Sequence, residues 1–201
     1  APHPVSPNNY DYHIDISADA YSLAAINNSW RDHTVHVRCS RCAAVGRFVR
    51  HGVYEKYLYR ECLSIVRLRC LGCRATHALV PAFSVPGTSL GTCELEAFIA
   101  GRSEGSSRRT AGAALIARGV AVEYLRRIER MILTAIHRAK ALFGEVPVHT
   151  REPYRWLRAL TLGALHPIVV LNRRSTDNGY GALFCCLTAA APSCASVLQW
   201  T

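Results

Sequence analysis

Cys39-Ser40-Arg41-Cys42 and Cys70-Leu71-Gly72-Cys73 are two knuckles of one design, and the reading of these stretches decides the fold. Two residues between cysteines let both sulfurs of a knuckle turn toward one point. A second knuckle then supplies the other two corners of the tetrahedron that Zn2+ prefers. The 27 residues from 43 to 69 exceed a common zinc-finger gap and suit a ribbon whose strands run out and return. Within them, Arg47-Phe48-Val49-Arg50 leads into a turn signal at His51-Gly52. Residues 64–70 alternate so that Val66, Leu68 and Cys70 fall on one face and Arg67 and Arg69 on the other. One face is expected to pack and the other to be cationic.

Three other readings compete for these cysteines: a redox Cys-x2-Cys pair, two disulfides, or ordinary buried thiols. A redox pair usually stands alone beside a βαβ pattern, which the sequence lacks. Disulfides need an oxidising compartment, for which no signal sequence argues. A structural zinc ribbon over residues 38–80, with Cys39, Cys42, Cys70 and Cys73 as ligands, is the expectation adopted. His51, Cys62 and His77 could substitute as ligands but read as structural or exposed residues. Cys93, Cys185, Cys186 and Cys194 show no ligand spacing and read as small apolar side chains.

Charge is concentrated on the ribbon. The 201 residues carry a net +10, of which residues 38–93 hold +7, while residues 1–37 are net −3 and residues 94–145 and 146–201 are +3 each. Arginine supplies nearly all of it, since Lys56 and Lys140 are the two lysines. A guanidinium can hold a phosphate through two parallel hydrogen bonds, so this bias suits nucleic acid better than mere solubility.

Around the ribbon the chain divides by composition. Residues 1–37 read as a leader, with turn-like polar residues and then a short helix between Ile14 and Ile26 that turns Ala20, Leu23 and Ala24 inward. The leader's proline-rich start does not resemble a secretion signal, which points to a cytoplasmic, nucleoid-associated protein. Residues 81–91, with prolines at 81 and 86 and a glycine at 87, read as an extended linker.

Residues 92–144 turn helical. Thr92 would cap a first helix ending at Gly101, and Ser106 or Ser107 a second carrying Ala111, Ala114, Leu115 and Ala117. Gly119 offers a turn. A third helix from about Val122 shows Leu125, Ile128, Ile132, Ile136 and Ala139 on one stripe, with Arg126, Arg127, Arg130 and Arg138 largely off it. That is the outline of a helix-turn-helix, and equally of a plain three-helix bundle with a solvated arginine face. In residues 145–201, Tyr154-Arg155-Trp156-Leu157-Arg158 reads as an amphipathic helix on a core. The uncharged run from Gly179 to Thr201 is too weakly apolar for a membrane span and reads as a packed C-terminal element. The expected fold class is therefore α+β: a small four-cysteine zinc ribbon, a helix-turn-helix-like unit and a poorly defined C-terminal segment.

Taken in order, Cys-x2-Cys, Arg50-His51-Gly52, residues 67–74, Leu79-Val80-Pro81-Ala82-Phe83 and the arginine-rich helical unit resemble bacterial transposase-associated proteins that join an N-terminal zinc ribbon to a helix-turn-helix. The resemblance covers about residues 38–135 and implies association with DNA. On this reading Arg47, Arg50, Arg67, Arg69 and Arg74 contact phosphate, and Tyr124, Arg126, Arg127 and Arg130 lie toward the groove. An enzyme is not expected, because the acidic residues are scattered and no nucleophile motif is present. The alternative is an assembly module that uses the ribbon and the apolar C-terminus to meet a protein partner or a second copy.

Overall fold

The computed structural model describes residues 10–144, 152–161, 164, 166–178, 180 and 182–185. Over these the protein is mixed α and β, with a four-stranded sheet ordered β1-β4-β3-β2. The strands are β1 (Tyr10–Ile14), β2 (Phe48–Leu58), β3 (Glu61–Cys70) and β4 (Thr76–Pro81). β2, β3 and β4 form an antiparallel meander, whereas β1 lies parallel to β4 with Tyr10 opposite His77 and Ile14 opposite Pro81. The leader thus supplies an outer strand of the sheet that carries the cysteines.

The leader's helix sits later than the sequence suggested. α1 spans Leu23–Thr34, because the Ser22 Oγ accepts from the Ala25 N–H at 3.1 Å and caps it there, while Ile14 belongs to β1. Ala20 and Ala24 are exposed, and of the helix's buried residues Ile26, Trp30 and Thr34 the first two are apolar. They close one face of the sheet together with Tyr12, Ile14, Phe48, Val66, Leu68 and Leu79. Arg67 and Arg69 take the opposite face as expected. Ile65, Ala78 and Val80 are nevertheless buried on that face, because part of it is covered too.

His51-Gly52 is not a turn. β2 runs straight through it, and the register slips between Arg50 and Gly52, leaving His51 as the extra residue of a β-bulge. A one-residue slip changes which face a side chain meets. Arg50 therefore pairs with Leu68 on the α1 side, and Gly52 pairs with Arg67 on the other. The hairpin closes instead at Tyr59-Arg60, where Tyr59 adopts a φ of 53°. That conformation is held from outside: the Tyr59 N–H donates to the Ser89 carbonyl at 2.7 Å, and its hydroxyl accepts from the Gly91 N–H at 3.1 Å. Residues 81–91 contain no helix, yet buried Val85 and Leu90 fix them into the helical core.

The helices are α2 (Thr92–Ser103), α3 (Arg108–Ala111), α4 (Ala113–Ala117), α5 (Leu125–Phe143, entered through a 3-10 turn at Val122–Tyr124), α6 (Pro153–Leu160) and α7 (Pro167–Asp177). Gly91, not Thr92, is the N-cap of α2. Gly105 and Gly119 end α2 and α4 by the same device. Each has a φ of 88°, and the next residue's N–H reaches back to the carbonyl five residues earlier, Ser106 to Gly101 and Val120 to Leu115. Gly101, read from sequence as the end of the first helix, instead lies inside α2, where α3 crosses closely. A Cβ there would stand 3.0 Å from the Ala111 Cβ and 3.1 Å from its Cα. Gly101→Val is expected to push the helices apart and destabilise the protein by about 1–3 kcal/mol, the usual range for overpacking, read as a lower urea midpoint at unchanged slope.

α5 buries Leu125, Ile128, Met131, Ile132, Ile136 and Ala139 against α2, α4 and the C-terminal helices. α6 buries Tyr154, Trp156 and Leu157 and leaves Arg155 and Arg158 exposed, as its amphipathic pattern required. α7 bridges to the sheet, with Asn172 Nδ2 2.9 Å from His13 Nε2 on β1. Leu183 and Phe184 join the core, while Cys186, Cys194 and the rest of the uncharged tail lie outside the described residues. Among the described residues no helix is long and apolar enough to cross a membrane.

Candidate metal centre and basic surface

The two knuckles are built alike down to their backbone bonds. In the first, the Ala43 N–H donates to the Cys39 carbonyl at 2.8 Å and the Cys39 N–H to the Ala44 carbonyl at 2.8 Å. In the second, the Arg74 N–H donates to the Cys70 carbonyl at 3.0 Å and the Cys70 N–H to the Ala75 carbonyl at 2.9 Å. Ala43 and Arg74, each directly after a knuckle's second cysteine, share a φ of 60°. Two non-glycine residues in the left-handed region at matching positions show how tightly each turn is wound to aim its sulfurs inward.

The four ligand atoms of Cys39, Cys42, Cys70 and Cys73 lie within 4.8 Å of one another. Cys39 Sγ is 3.6 Å from Cys73 Sγ, and Cys42 Sγ is 3.6 Å from Cys70 Sγ. Those separations are far beyond the roughly 2.05 Å of a disulfide bond, and all four cysteines are free. They do match the sulfur–sulfur edge of about 3.8 Å in a tetrahedron of about 2.3 Å metal–sulfur bonds. The four cysteines could therefore hold a metal ion. No other cluster of this kind occurs among the described residues.

The thiols are not equivalent. Burial pushes Cys39 up to about 12, and burial also raises Cys73, whereas the backbone N–H of Ala44 leads the effects that lower exposed Cys42 to about 7. Metal binding must displace protons from the raised thiols, so affinity falls as pH falls.

Residues around the four cysteines support them, and of these His77 was weighed from sequence as a structural residue or substitute ligand, while Tyr12 was not. His77 is buried with Nε2 3.4 Å from Cys39 Sγ, and its ring stacks on Tyr12 at 5.0 Å and meets the edge of Phe48 at 5.2 Å. It is therefore a neighbour that orients a ligand. The Tyr12 hydroxyl donates to the Arg38 carbonyl at 3.0 Å and accepts from the Ser40 N–H at 3.2 Å, pinning the first knuckle from β1. Gly72 donates its N–H to Cys70 Sγ at 3.3 Å, and a Cβ there would stand 3.3 Å from Cys42 Sγ. Of these, His77 and the glycine inside the second knuckle were visible in the sequence, whereas the Tyr12 contacts depend on β1 joining β4.

The structure does not put all the predicted basic residues on one face. Arg47, Arg69 and Arg74 are exposed, Arg47 and Arg74 near the knuckles and Arg69 on β3. Arg67 lies half-buried with its guanidinium 5.8 Å over the Tyr54 ring. Arg50, on the α1 side, donates to the Asn27 Oδ1 at 2.9 Å. Tyr124 stands exposed in the 3-10 turn beneath the Arg127 guanidinium at 5.5 Å, and Arg126 and Arg130 are exposed on the outer face of α5. Other arginines are neutralised by carboxylates: Arg102 and Arg108 on Glu129, and Arg118 on Glu94.

No family model, no curated protein and no solved structure matches the chain significantly.

Proposed function

We propose that the protein is a DNA-binding accessory or regulatory factor of the mobile-element type, in which structural Zn2+ on Cys39, Cys42, Cys70 and Cys73 stiffens a ribbon beside a helix-turn-helix unit. The observation that carries the reading is the gathering of four thiols into a tetrahedral set next to arginines that face solvent. Four sulfur ligands leave no corner open for a reacting water, which suits a structural ion. The α4–Gly119–α5 segment supports the rest: a tight glycine turn delivers the first residues of α5, with Tyr124, Arg126, Arg127 and Arg130 outward, as a groove-entering helix requires.

Phosphate neutralisation gives this reading a quantitative test. If about five phosphates are contacted, log affinity for a DNA duplex falls against log salt with a slope near −4.5. Fluorescence anisotropy across a salt series, with elemental analysis of the same preparation, should give that slope and one equivalent of zinc per chain. Affinity that ignores salt would remove DNA binding. Iron in place of zinc would replace the structural ion with a redox one.

A specific observation favours assembly as the second reading. Val35, Val45 and Leu71 are 54%, 49% and 54% exposed near the knuckle end, an apolar set beside Arg47 and Arg74. Light scattering that shows a clean monomer at high concentration would count against a self-association face there.

A further inference from the structure

We infer that the sheet arginines and the α5 arginines form one continuous track for a single DNA duplex, laid from β3 across the 84–90 turn onto the start of α5. The inference rests on the DNA-binding reading above and adds to it the path of the ligand.

The path can be followed contact by contact. Arg67 and Arg69 share a face of β3 with Ile65, away from α1. On β2 the same face carries Tyr54, opposite Ile65, and Lys56, opposite Leu63. The Arg67 guanidinium lies over Tyr54. Lys56 Nζ donates to the Ser84 Oγ at 2.7 Å and to the Thr88 carbonyl, so the 84–90 turn stands on the arginine face of the sheet. Thr88, Gly87 and Leu90 form one wall of a cleft whose other wall is Tyr124, Arg127, Ile128 and Met131. Arg127 lies over Tyr124, and Arg130 follows one turn along α5. The bulge at His51 removes Arg50 to the opposite face, so the track excludes it. Glu123, exposed beside Tyr124, is the acidic neighbour at the α5 end.

Two features suit this track to a phosphate backbone. An arginine stacked on tyrosine has its planar fork already oriented, so less conformational freedom is lost when it meets phosphate. The track has such a pair at each end. Its length also fits: from Arg69 to the level of Lys56 is about 20 Å of strand, and the first turns of α5 add about 10 Å. Those two stretches alone, without the turn between them, cover roughly nine base pairs at about 3.4 Å each.

The test uses the full metal-loaded chain and a 16-base-pair duplex, with anisotropy measured across salt. Arg67→Ala/Arg69→Ala and Arg127→Ala/Arg130→Ala are each expected to reduce the salt slope by about 1.8, the quadruple variant by about 3.6, and saturation to occur at one duplex per chain. Arg69→Glu, at an exposed position that folding does not depend on, should weaken binding about as much as the alanine pair does, because both change the charge by two. Arg31→Ala, on α1 behind the sheet, should leave the slope unchanged. If the α5 pair matters while the β3 variants, Arg69→Glu included, bind like the parent chain, the single track is overturned and DNA binding by α5 survives. Two duplexes per chain would likewise overturn it. Salt-insensitive binding by the parent chain, or equal affinity for polyglutamate, would remove both the track and the DNA reading.

Discussion

Cys70→Ser is expected to abolish metal binding and to melt the sheet, leaving a chain with little ordered β structure at room temperature. Cys70 is at once a candidate ligand, a fully buried member of the core beside Phe48 and Leu68, and the residue whose N–H and carbonyl close the second knuckle. A structural zinc site is worth on the order of 10–16 kcal/mol in zinc-finger peptides near neutral pH. That is as much as the whole stability of an ordinary domain, about 5–15 kcal/mol. Chelation of the parent chain should do the same. The control is Cys62→Ser, an exposed position on β3, which should keep one equivalent of metal and the parent melting temperature. Elemental analysis and amide exchange across residues 48–81 are the measurements. A Cys70→Ser protein that retains metal and a parent-like melt would show that the thiols are only neighbours.

Glu129→Ala should destabilise the protein by about 3 kcal/mol, at the lower end for breaking a buried ion pair because the arginines keep some solvent. For a chain of this length that is a fall of roughly 10 °C in melting temperature. The Glu129 carboxylate is buried in α5 and accepts from Arg102 Nε of α2 at 3.0 Å, from Arg108 Nε of α3 at 2.6 Å and from the Tyr154 hydroxyl of α6 at 3.2 Å. One side chain therefore joins four helices. Burial works against its charge, but the hydrogen bond and charge of Arg108 and the charge of Arg102 outweigh burial and hold the group below the usual carboxylate value. Its contribution is complete above that usual value and is lost as pH falls through the depressed one, so the variant and the parent converge in acid. A urea series at pH 7 and again in acid checks both parts. A change under about 1 kcal/mol at pH 7 would mean the arginines find equal partners in water.

What could be read in the sequence was local. Paired knuckles, the alternation of residues 64–70, the α5 stripe and the amphipathic residues 154–158 all announce themselves through spacing, because each depends on neighbours a few residues away. Three features could not be read that way. The parallel pairing of β1 with β4 joins residues 67 positions apart, Tyr10 and His77, and nothing local marks Tyr10–Ile14 as a partner. The bulge at His51 looks like a turn because histidine before glycine is a turn signal, and the partner strand overrides it. Gly101 looks like a helix terminator, yet it serves the approach of Ala111. The same bulge decides the candidate surface, since it separates Arg50 from Arg67 and Arg69, which the DNA-binding reading of the sequence had grouped together as phosphate contacts.

The bond between His13 on β1 and Asn172 on α7 spans 159 positions, and it sets a timetable for biogenesis. At about 5–20 residues per second, the ribosome needs on the order of ten seconds or more to deliver Asn172 after His13. Even β4, the neighbour of β1, emerges well after it. During that interval β1 has its hydrogen-bonding edge open and Ile14 unsheltered, so chaperone demand in translation should be greatest while β1 waits for β4 and α7.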